Sequence, residues 1–111
     1  MPVVTVVAPA HVAVAELVAA VAASVADVLS LGPGDVIAMH VPSGAVAASG
    51  GDTAAPWPVV TIHGSDRGSE MMDRACVASA DAVRTWADAH GVMTGGVWSQ
   101  WSLPRPAPTV A

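Results

Sequence analysis

The feature that most constrains this chain is an internal repeat. Pro2-Val3-Val4-Thr5 recurs as Pro58-Val59-Val60-Thr61, and each copy opens a short β-branched run, Val3 to Val7 and Val59 to His63. β-Branched side chains lose χ1 freedom in a helix and pack well on a pleated surface, so both runs are predicted as buried strands. Each run is followed by a long stretch of helical periodicity. In the first, Val14, Leu17, Val18, Val21, Val25, Val28 and Leu29 recur every three or four residues, and Leu31-Gly32-Pro33-Gly34 ends the helix. In the second, Met72, Cys76, Val83, Trp86 and Ala87 hold one side, and Gly91 follows the end. Each helix leads to a further strand, Val36 to Val41 and Gly96 to Ser102. The expected class is therefore α/β (α+β), with tandem β-α-β units over residues 2–42 and 58–102. A helical crossover makes the two strands within each unit parallel.

The remaining segments are connectors. Pro42 to Pro56 joins the units and contains Ser49-Gly50-Gly51-Asp52, which is turn chemistry. The 111 residues make one domain, expected over residues 1–103, and Pro104-Arg105-Pro106-Ala107-Pro108 opens an extended tail, residues 104–111. Hydrophobic residues are 53% and charged residues 12%. So few charges on so short a chain predict an apolar face covered by other subunits. The net charge is −5, lysine is absent and no basic run exists, which argues against nucleic acid and anionic membrane surfaces as partners. An anionic substrate would have to be held by one of the four arginines.

Cys76 stands alone, so no intrachain disulfide is possible, as suits a reducing compartment. The start, MPVVTVV, lacks the basic n-region of a secretory signal, and the apolar stretch 12–29 is interrupted by Glu16 and Asp27. A soluble, cytoplasmic protein is expected. His11, His40, His63 and His90 show no metal-ligand spacing, and Gly50-Gly51 lacks the frame of a nucleotide-binding loop. No metal and no cofactor are expected. His40 and His63 read as structural strand histidines, and Cys76 as a core residue.

Pro2 carries the clearest chemistry. A proline directly after the initiator methionine normally permits that methionine's removal, which leaves a secondary amine at the head of a strand. An α-amino group has an unperturbed pKa of about 7.7–8.0, and apolar surroundings lower it, so the amine becomes a neutral base near pH 7. The ring fixes the direction of its lone pair. Many chains begin Met-Pro with no such role, so Pro2 alone does not decide the matter.

Other segments bear on it. Ile37-Ala38-Met39-His40-Val41, Ser49-Gly50-Gly51-Asp52-Thr53 and Ile62-His63-Gly64, together with the strand-leading proline and the repeat, resemble the tautomerase superfamily. The branches it resembles are those of macrophage migration inhibitory factor, cis-3-chloroacrylic acid dehalogenase and 4-oxalocrotonate tautomerase. The resemblance spans nearly the whole chain except the tail. It implies a four-stranded mixed sheet with two helices on one face, a homotrimer with active sites at subunit interfaces, and Pro2 as the catalytic base.

Further site residues follow from the same resemblance. Arg67 falls where several members place a cation near the substrate carboxylate, and a guanidinium fork suits a carboxylate. A solvated loop arginine paired with Asp66 or Glu70 is the alternative. Trp98 and Gln100 share one face of the last strand, at positions where the cytokine branch lines its site. Trp98 is then an apolar wall, or else subunit-interface packing, and Gln100 a donor to a carbonyl. Asp35 matches the place of an acid in malonate semialdehyde decarboxylase and is a candidate second acid or base, although an aspartate after Gly-Pro-Gly is commonly a turn residue. There are departures too. Gly32 replaces a substrate-contacting lysine of the cytokine branch, and His11 stands near the place of a substrate-binding arginine in the 4-oxalocrotonate branch. A two-arginine carboxylate clamp is therefore not evident.

The function expected is cofactor-independent tautomerisation of a small, carboxylate-bearing enol or 2-oxo acid, with Pro2 as base. Two alternatives stay open. One is hydration, dehalogenation or decarboxylation on the same scaffold, with a protonated Pro2 as acid. The other is a non-catalytic binding protein of the same fold.

Overall fold

Thr5 and Thr61, which close the two copies of the repeat, lie directly opposite each other at the centre of the sheet. They sit in β1 (Val3–Ala8) and β3 (Val59–His63), which pair antiparallel from Val3 opposite His63 to Val7 opposite Val59. The register makes the two repeat units related by an approximate two-fold axis between these threonines. Each unit then adds its own parallel strand on the outside. β2 (Ile37–Pro42) lies beside β1, and β4 (Trp98–Ser102) lies beside β3, giving the order β2-β1-β3-β4. The sheet is mixed, parallel within units and antiparallel between them. The computed structural model describes residues 1–51 and 55–104. Asp52 and Thr53 of the predicted turn, and the tail from Arg105 onward, lie outside them.

Alternation along each strand sorts the side chains into two faces. Val4, Val6, Ala8, Val60 and Ile62 point inward and are almost completely buried. They pack beneath α1 (Val14–Leu29) and α2 (Ser69–Ala89), which together cover this face. α1 contributes the four-residue stripe Leu17, Val21, Val25, Leu29, as its periodicity predicts. α2 contributes Ala75, Ser79, Val83 and Ala87, with Trp86 beside them. Met72 and Cys76, expected on the core side, sit at its margin instead. The small residues Ala75 and Ser79 occupy the centre, and the Ser79 hydroxyl bonds the Cys76 carbonyl and the Ser99 hydroxyl of β4, both at 2.9 Å. A buried hydroxyl is tolerated there because both of its bonds are made.

The strands are expected to be buried, and in the single protomer only their helix side is closed, leaving the outer face open. Val41, Val7, Val59 and Trp98 form one cross-strand row, and Met39, Thr5, Thr61 and Gln100 the next. Ile37, Met39, Val41 and Trp98 on this face are 42–58% exposed in the single protomer. No helix among the described residues is long and apolar enough to cross a membrane.

The helix ends are held by local contacts. Ala13 N–H donates to His11 Nδ1 at 3.0 Å, a local bond in the turn just ahead of α1. At its other end Ser30 takes φ 55°, a left-handed conformation, and Leu31 N–H donates to Ala26 O at 2.9 Å. Gly68, at φ 84°, precedes α2, and its N–H donates to Asp66 Oδ1 at 2.8 Å.

Candidate active site at the head of the first strand

Pro2 is one residue ahead of β1 and on the inward face by alternation, and its ring is fully buried. Its carbonyl accepts Ile37 N–H at 3.2 Å, so the ladder with β2 already begins at Pro2. Met1, by contrast, is 73% exposed. The bond from the Pro2 nitrogen to Met1 thus leads toward the surface.

The topology decides what accompanies Pro2. β1 and β2 begin at this end of the sheet, whereas β3 and β4 finish here. One step beyond the Val3–His63 pair brings Gly64 opposite Pro2, and one step before Ile37 brings Val36 to its other side. Asp35 and Arg67 therefore belong to the same end, on the segments leading into β2 and out of β3.

Arg67 is half-buried, and its Nε is buried with no hydrogen-bond partner. The alternative pairing with Asp66 or Glu70 does not form; Asp66 is committed to Gly68 N–H instead. Among the described residues Arg84 pairs with Asp81 at 3.4 Å on the exposed side of α2, and Arg74 contacts only Met71 Sδ at 3.6 Å. Arg67 is thus an arginine at the Pro2 end with donor capacity left over. Its position just before α2 adds the partial positive charge of a helix N-terminus.

Asp35 is occupied differently. Its Oδ2 accepts Gly32 N–H at 3.0 Å while its own N–H donates to Gly32 O at 3.2 Å, and the residue is exposed. That is the turn arrangement, and it closes the loop that ends α1.

Trp98 and Gln100 are not brought to Pro2 within one protomer. Trp98 is level with Val59 and Val7, about 16 Å further along the strands at ~3.3 Å per residue, and on the outer face. Its Nε1 donates to Gln100 Oε1 at 3.3 Å, and Gln100 Nε2 donates to Thr61 Oγ1 at 3.2 Å. Both ends of the Gln100 amide are engaged in the protomer. Only a neighbouring copy could bring these residues to a Pro2 amine.

His11, His40 and His90 have partners away from Pro2, while His63 is exposed at the end of β3 opposite Val3. His40 Nε2 meets Ala8 O at 3.0 Å on the inner face. His11 stacks edge-on with Trp86 at 5.1 Å, near His90, which meets Glu16 at 3.1 Å; this group lies at the opposite end of the sheet. Burial pushes the Cys76 thiol up, and the Asp73 charge adds to the rise against the opposing Ser99 hydrogen bond, so the thiol is no ready nucleophile. No group of three or more His, Cys, Asp or Glu among the described residues is arranged to hold a metal ion. A hollow of about 370 Å³ between α1 and the loop into β2 is lined by Ala22, Ala26, Leu31, Gly32 and Val36 among others, and by none of the predicted site residues.

Sequence reasoning missed Trp101. It lies on the inner face, packed against the core, and its Nε1 donates to Gly64 O at 3.2 Å. The signal was available: Trp101 alternates with Trp98 and Gln100 and so faces the Pro2 side of the sheet.

Comparison with known proteins agrees with this geometry at the level of fold. No protein-family profile and no curated protein matches the chain. Solved structures do. A 5-carboxymethyl-2-hydroxymuconate delta-isomerase superposes with a TM-score of 0.75 at 13% identity, covering 100% of this chain and 87% of its own. A fused 4-OT, solved as a wild-type symmetric trimer, gives 0.73 at 18% identity over 92% of this chain and 85% of its own. The macrophage migration inhibitory factor of Toxoplasma gondii gives 0.62 at 18% identity over 94% and 90%. The chain shares the fold of these three proteins.

Proposed function

We propose that the chain is a cofactor-independent tautomerase acting on a small enol or 2-oxo acid that bears a carboxylate, with the amine of Pro2 as general base once Met1 is removed. The observation that carries this reading is the setting of Pro2. Its ring is anchored in the core, its nitrogen leads outward, and Arg67 lies at the same end of the sheet with an unpartnered guanidinium nitrogen. The neutral amine takes the proton of the enol hydroxyl as the carbonyl forms, then returns a proton to the adjacent carbon. Arg67 holds the substrate carboxylate. Enol and ketone differ only in the place of one proton, so the step balances without any further reactant.

Hydration or dehalogenation on this scaffold needs a free second acid or base. Asp35 is the candidate, and its engagement with Gly32 N–H favours the tautomerase reading. The isomerase named among the structural neighbours supports the same class of chemistry.

Three copies are proposed to complete the site. The open outer face supports this, since Ile37, Met39, Val41 and Trp98 are exposed in a single protomer, and so does the trimeric neighbour. Trp98 and Gln100 then enter as an apolar wall and a carbonyl donor contributed by an adjacent copy. The single Cys76 suits a cytoplasmic setting.

The test is the pH dependence of phenylenolpyruvate turnover by protein whose intact mass shows loss of Met1. Desolvation lowers an amine's pKa, so kcat/KM rises with pH through a midpoint below about 7.7. No turnover by fully processed protein would favour the binding-protein reading instead.

A further inference from the structure

Gly64 is unusual among the glycines near the site in having its missing side chain replaced by another residue. A Cβ built there would lie 2.9 Å from Cζ2 of Trp101, 3.5 Å from Cη2 and 3.6 Å from Cε2. The benzo rim of the indole thus occupies the space a side chain at position 64 would fill. The Nε1 bond to Gly64 O fixes the ring in that place. Trp101 springs from β4 level with Ile62, and its indole reaches diagonally over Gly64, on the inner face. Gly64 is the residue opposite Pro2, one strand spacing away, or about 5 Å. The rim therefore covers Gly64, the residue beside Pro2 on the neighbouring strand. Trp101 is only partly buried.

We infer that Trp101, seated on Gly64, is the aromatic wall that each protomer supplies to its own Pro2, and that it favours enols carrying an aryl or alkenyl group over those carrying a saturated chain. The inference rests on the reading of Pro2 as base. It differs from the role given to Trp98, which faces the other side of the sheet and can reach a Pro2 only on another copy. An aromatic contact contributes beyond its buried area, on a scale of a few-fold in binding, and a flat apolar rim rewards a flat partner most.

The experiment compares kcat/KM for phenylenolpyruvate with that for an alkyl-substituted enolpyruvate, in processed wild type, Trp101→Leu and Trp101→Phe. Trp101→Leu is expected to lower the aryl-to-alkyl ratio by about three- to ten-fold while alkyl turnover persists, and Trp101→Phe to keep most of the ratio. An unchanged ratio in Trp101→Leu overturns the inference. A second measurement needs no variant. In the wild-type protein, nuclear Overhauser contacts are expected between the benzo protons of Trp101 and the ring protons of Pro2, and their absence overturns the inference even if Trp101→Leu fails to fold. The underlying reading fails separately. If protein with its Pro2 nitrogen held as an amide turns over both enols at full rate, Pro2 is not the base, whatever the contacts show.

Discussion

Arg67 is the residue whose neglect by its neighbours says most about its use. A half-buried guanidinium with a buried, unpaired Nε has already lost part of its hydration, and a substrate carboxylate would restore that loss with charge-assisted bonds. Arg84 has its carboxylate partner already and is exposed. Arg67→Ala is therefore expected to raise KM for a carboxylate-bearing enol by about 10- to 100-fold, as for one charge-assisted hydrogen bond, with Arg84→Ala near wild type. Steady-state kinetics of the two variants check this. Equal values for both would move the carboxylate anchor away from Arg67.

Elements show where the sequence was legible and where it was not. The repeat marked the strand that opens each unit, and the Leu17-Val21-Val25-Leu29 stripe was visible because large apolar residues stood out at helical spacing. The stripe of α2 was not, because Ala75 and Ser79 carry no strong apolar signal. Ser79 is buried because the Cys76 carbonyl and Ser99, twenty residues on, satisfy it. Strand order was unreadable for a similar reason. Nothing in Val3–Ala8 announces that its antiparallel neighbour is β3, and that pairing is what puts Gly64, Arg67 and Trp101 at the head of β1. Leu31-Gly32-Pro33-Gly34 was expected to end α1, yet the left-handed residue at its end is Ser30. A side chain in that conformation costs about 1 kcal/mol relative to glycine. Ser30→Gly is accordingly expected to stabilise the fold by roughly 0.5–1 kcal/mol in urea denaturation, because relief of strain outweighs the added entropy of the unfolded chain. A loss of stability would mean that the Ser30 side chain makes contacts worth more than the strain.

At the scale of the whole molecule the two faces of the sheet pose different problems. The inner face is closed by two helices. The outer face presents Ile37, Met39, Val41 and Trp98, and both edge strands, β2 and β4, keep unpaired backbone groups. A protein this apolar on one side is expected to sediment as a trimer at micromolar concentration, and Met39→Asp, which places a charge in the middle row of that face, is expected to shift the mass toward monomer. A monomeric wild type would leave Trp98 and Gln100 without a route to Pro2. The central claim is that chemistry depends on the Pro2 amine, and the most direct measurement is turnover of phenylenolpyruvate by a protein carrying one extra residue between Met1 and Pro2, with its presence before Pro2 verified by mass. The Pro2 nitrogen is then an amide and cannot act as a base, while the exposed position of Met1 leaves room for the extension without disturbing the core. The account predicts that this protein keeps its fold and assembly but loses about 100-fold or more in kcat/KM. Turnover as fast as that of the processed protein would contradict it.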